Sequence, residues 1–180
     1  RPQDTRGTLQ RRPQDTRDIS DGDFKILDPE ELQYVEGADR LRRNTLFRKV
    51  VLGKYEGRCA VSGLGLATPL KRDGEGRPLP QRYEVEGAHI VPVSRGGPDH
   101  IRNGLPLCQT LHWAFDEGMF GVDEDRKIYL PDDVKSDKKN EFIRQYEGKE
   151  IAEATDPKYS ADNVAFEWHT ANVVEKWCPK

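Results

Sequence analysis

Cysteine is scarce in this chain of 180 residues: Cys59, Cys108 and Cys178 form an odd, widely spaced set, which excludes a disulfide framework. Long apolar runs are missing as well. No stretch approaches the roughly 20 residues that span a bilayer, and no signal-peptide pattern occupies the first residues, so a soluble, cytoplasmic protein is expected. Nor does charge of one sign dominate. The 29 Lys and Arg stand against 32 Asp and Glu, a net charge of −3, which excludes tight attachment to a polyanion through bulk charge alone. Hydrophobic and charged residues each make up 34%, a polar balance from which one domain with a modest core and some loosely packed chain is expected.

The loosely packed part is expected at 1–37. RPQDTR occurs at 1–6 and again at 12–17, in a stretch with almost no large apolar side chains. A basic arm along nucleic acid is one reading. The interleaved aspartates dilute its charge and favour a solvated linker, with at most a short helix from Asp28-Pro29. The chain opens at Arg1 without a methionine, which suggests a fragment of a longer protein joined through this linker.

A helix is expected from about Ala38 to Tyr55, with Leu41, Phe47, Val50, Val51 and Tyr55 as its apolar stripe. Over 38–58 seven Lys and Arg face only Asp39 and Glu56, whereas 115–167 carries 15 acids against 8 bases. If the chain meets phosphates, Arg40, Arg43, Arg48 and Lys49 are the candidates on this helix; a plain solvated surface is the alternative. Gly57 to Leu70 reads as a strand and turn, and 71–80 as a flexible loop. Towards the end, a hairpin turning at Asp123-Glu124-Asp125, a helix near 135–146 and a last helix from about Ser160 are expected, with Trp168 and His169 as packing.

The informative stretch is 84–118. An apolar strand signal, Val85 to Val91, ends in a histidine and a proline. A loop with Gly96-Gly97-Pro98 follows, then the run Leu105 to Cys108 and helical spacing from Thr110 to Asp116. His89, Asn103 and His112 fall at intervals of 14 and 9 within the words Glu86 to Pro92, Asn103 to Cys108 and His112 to Gly118. In these residues the chain resembles the HNH endonucleases, the ββα-metal or His-Me finger group. The resemblance implies an α+β domain over 38–180, with a ββα core between a preceding amphipathic helix and a C-terminal hairpin and helices, and a metal-dependent DNA endonuclease.

By the same resemblance His89 is the general base, Asn103 ties down the Gly96-Gly97 loop, and His112 is a metal ligand. Asp116, one helical turn on, lies on the same face as His112. Many members have aspartate or histidine just before the base, where this chain has Ala88. Glu86 points to the same side of the strand as Ala88, with a longer reach, and is the expected substitute ligand, directly or through water, with Asp116 as the other candidate. Imidazole with carboxylate suits magnesium or manganese, or another first-row ion. Structural zinc is not expected, because Ser62 and Leu111 stand where paired cysteines would follow Cys59 and Cys108. Arg95 and Arg102 are candidate phosphate contacts in the loop, with Asp99 and Arg102 organising it. Relatives are often fused to, or recruited by, a DNA-reading partner, which suggests the cutting module of a restriction or CRISPR-type defence system. The rival is a degenerate HNH fold that binds nucleic acid or protein without cutting.

Overall fold

The computed structural model describes residues 37–177, with side chains described from 45 to 176. The 1–36 arm, the short helix proposed at Asp28 and Cys178 lie outside the described residues, as do the side chains of Arg40 and Arg43.

Helix α1 runs Gly37–Lys54 and buries Phe47 and Val51, four residues apart on one face. It stops where Glu56 and Gly57 turn left-handed, at φ 54° and 68°, and the Gly57 N–H returns to the Leu52 carbonyl at 2.8 Å. Strands β1 (Val85–His89) and β2 (Gly104–Cys108) pair antiparallel, with His89 opposite Gly104 and Val85 opposite Cys108. Helix α2 (Gln109–Asp116) follows β2 directly, which completes a ββα unit.

Two glycines let α1 settle on this hairpin. A Cβ on Gly87 would come within 3.0 Å of the Arg48 Cα, and one on Gly104 within 2.3 Å of the Val51 methyl Cγ2. Any side chain there would lift the helix off the sheet. The opposite face carries Ala88, Leu105 and Leu107, all buried, against Leu111, Ala114 and Phe115 of α2.

The segment expected as strand, turn and flexible loop is a paired arm instead. Ala67 bridges Tyr83, Arg72 bridges Pro78, and Asp73 closes the tip by accepting the N–H groups of Glu75 and Arg77. Its exposed prolines and glycines hide the pairing from a periodicity count.

Beyond α2, strands β3 (Gly121–Val122) and β4 (Ile128–Tyr129) form the expected small hairpin. The single helix expected near 135–146 is two: α3 (Asp132–Ser136) and α4 (Glu141–Arg144). Asp137 separates them, because its carboxylate accepts the Lys139 N–H and starts a 3-10 turn. Helix α5 (Asn163–His169) opens with Asp162 accepting the Val164 N–H and continues through a wider turn at Thr170–Val174. His169 is buried here, its ring stacked on Phe115 at 3.6 Å, so the aromatic pair at 168–169 does serve packing. Cys59 and Cys108 are buried free thiols. Burial pushes the Cys108 thiol up.

Candidate active site

His89 closes β1, on the face that α1 covers. Its ring lies flat against Phe47, with centroids 3.7 Å apart and planes 9° apart, and its Nε2 is 2.8 Å from Asp99 Oδ1. The side chain keeps 15% of its surface exposed, enough for contact with water.

Asn103 organises the loop that returns to this histidine. Its Oδ1 accepts the Val91 N–H at 2.9 Å, while Nδ2 donates to the Val91 carbonyl at 2.9 Å and to the Pro98 carbonyl at 3.0 Å. Asn103 is fully buried, so these bonds satisfy an amide that would otherwise be stranded. Gly97 is held tightly by the same clasp: a Cβ there would lie 1.9 Å from the Val91 carbonyl oxygen. The loop from Pro92 to Asp99 is thereby pinned beside His89.

On α2, His112 is bracketed by carboxylates. Nδ1 lies 3.4 Å from Glu86 Oε2, and Nε2 lies 3.5 Å from Asp116 Oδ2. Burial raises the Asp116 carboxyl above the ordinary carboxylate range, the His112 ring works against that rise, and Glu117 adds to it. Thus the three residues expected as metal ligands are neighbours. They meet at opposite edges of one ring, and among the described residues no group of three or more His, Cys, Asp or Glu is arranged to hold a metal.

Strand alternation separates the two clusters. Glu86 faces α2 and His112, whereas Gly87 and His89 face α1.

Of the candidate phosphate contacts, Arg48 and Lys49 are exposed on α1 beside Phe47, and Arg95 is exposed at the end of a 3-10 turn. Arg102 is paired with Asp162, the capping residue of α5, and so fastens the loop to the C-terminal part of the domain. His100 accepts the Arg102 N–H, and burial lowers its pKa. Two neighbours of His89 escape a reading of spacing alone: Phe47, distant in sequence, and Asp99, whose loop has no period.

An antiparallel hairpin followed at once by a helix, with histidines on strand and helix and a buried asparagine between them, defines the ββα class of nuclease folds. Residues 59–123 match the HNH_2 family model, described as HNH endonuclease. Among solved structures the chain is similar to a modification dependent TagI restriction endonuclease, at 23% identity and a TM-score of 0.47, over 71% of this chain. It spans 37% of that protein's length. No curated protein matches the sequence.

Proposed function

We propose that this nuclease domain hydrolyses phosphodiester bonds of DNA, with His89 as general base and a divalent cation, magnesium or manganese, held by His112 and Asp116. The observation that carries this reading is His89 itself: a partly exposed imidazole, fixed by stacking and hydrogen bonding at the mouth of a clasped loop. A neutral imidazole is a general base of the type this hydrolysis needs, and the restraint of this ring removes the search for a productive angle. Asn103 touches no reacting atom and acts by holding the loop.

The chemistry of the donors beside it, an imidazole and two carboxylates, suits a divalent cation. Imidazole and carboxylate lie one helical turn apart, and Glu86, at the other ring edge, orients His112 as carboxylates behind metal-bound histidines do. A cation bound there supplies charge for the phosphate and the departing 3′ oxygen. Arg48, Lys49 and Arg95 are the exposed cations that would meet the DNA backbone, joined by Arg40 and Arg43 of the same helix. The whole chain carries a net charge of −3, so bulk charge alone does not hold it to DNA, which fits a cutting module working beside a DNA-reading unit in a restriction or CRISPR-type system.

A binding-only module is the second reading, favoured by the buried Ala88, where many members of the resembled family carry aspartate or histidine. The test is cleavage of supercoiled plasmid with magnesium, manganese or EDTA, alongside thermal unfolding with and without metal. The proposal predicts metal-dependent cutting and a metal-induced rise in Tm, both lost in His112→Ala. Metal-independent behaviour of a folded wild type would refute it.

A further inference from the structure

We propose that Asp99 is a positioning residue for His89: it holds the imidazole in the tautomer protonated at Nε2 and thereby makes Nδ1 the atom that takes the proton from water. This rests on the reading of His89 as general base.

A carboxylate accepts hydrogen bonds and does not donate them, so the 2.8 Å contact from His89 Nε2 to Asp99 Oδ1 requires the proton on Nε2. The second ring nitrogen then carries the lone pair. Phe47 restrains a different freedom: stacked at 9° from parallel, it sets the plane of the ring, while Asp99 selects which edge points away from the loop. Plane and edge together leave one orientation.

Asp99 owes its place to the clasp. Its preceding residue, Pro98, gives its carbonyl to Asn103 Nδ2, and Gly97 is pressed against Val91. A continuous path therefore runs from Asn103 through Pro98 and Asp99 to His89, so that the buried amide aims the base without touching it. Asp99 is itself partly exposed, at 24% of its side chain, and lies outside the apolar core, so its replacement leaves core packing intact.

The experiment uses the full chain with Asp99→Ala, Asp99→Asn and His89→Ala, comparing manganese-dependent plasmid cleavage with 15N-resolved imidazole spectra. The wild type is expected to show His89 protonated at Nε2. Asp99→Ala should mix the tautomers and lower kcat about 100-fold, at the low end of what a general base contributes, with KM for DNA unchanged. Asp99→Asn, which keeps an acceptor oxygen but loses the charge, should retain the tautomer and fall between. Wild-type kcat in Asp99→Ala, a fall carried by KM, or an unaltered His89 spectrum would overturn the proposal. Should Asp99→Ala fail to fold in a thermal scan, Asp99→Asn decides, and wild-type kcat there overturns it. Cleavage by His89→Ala at the wild-type rate would instead remove the underlying assignment of the base, whatever Asp99 does.

Discussion

Asn103 grips Val91 by both polar groups of its backbone, accepting from the N–H and donating to the carbonyl, each at 2.9 Å. The two residues are 12 apart in sequence, and the grip closes the loop that carries Asp99 back onto the end of β1.

Asn103→Ala is therefore expected to destabilise the fold by about 3 kcal/mol, since three hydrogen bonds disappear and their backbone partners are left wanting. Urea unfolding measures this. Asn103→Asp should do no better at neutral pH, because it sets an acceptor against two carbonyl oxygens. Stability equal to the wild type in either variant would mean that the clasp is not what holds the loop.

Gly97→Ala tests the same clasp from its other side. Its methyl group would fall 1.9 Å from the Val91 carbonyl oxygen, so the loop must shift, at a cost of about 1–3 kcal/mol. The midpoint of thermal unfolding should drop, and cleavage should fall with it because His89 loses its frame.

How much of the site is legible in the sequence follows from where the signals lie. His89, Asn103 and His112 sit at the ends of regular elements or within them, where strand and helix spacing leaves a pattern. Glu86 and Asp116 can be placed near His112 by the periods of two and four residues. The partner of His89 cannot, because Asp99 follows an irregular loop whose course depends on the buried Asn103 amide. The pairing of Arg102 with Asp162 bridges 60 residues, and the stacking of Phe47 joins helix to strand. Tertiary packing makes such pairs and leaves no local pattern of them.

Acid should weaken the domain through His169. Its Nε2 donates to the Phe115 carbonyl at 2.9 Å, while Nδ1 is buried without a partner, so burial lowers the pKa from 6.5 to about 4. The fold favours the neutral ring. Its contribution is complete above pH 6.5, the unfolded value, and is lost as pH falls towards 4, amounting to about 3 kcal/mol over that window. Unfolding of wild type and His169→Gln at pH 7.5 and 4.5 checks this: the advantage of the wild type should shrink in acid. A constant difference would show that His169 does not titrate in this range.

Removing exposed cations should change DNA binding through its salt dependence. Arg48→Ala with Lys49→Ala is expected to reduce the slope of log K against log salt by up to about 0.9 for each phosphate no longer neutralised, without unfolding the helix. Fluorescence anisotropy across a salt series gives the slope. An unchanged slope would leave this face of α1 as solvated surface.

The most direct test of His89 as the base is single-turnover cleavage of plasmid DNA by the wild type and by His89→Ala at saturating manganese. The wild type should cut, and the variant, folded and still stabilised by manganese, should lose at least about 100-fold in rate. Equal rates in the two proteins would contradict this role, because the nucleophilic water would then be activated elsewhere.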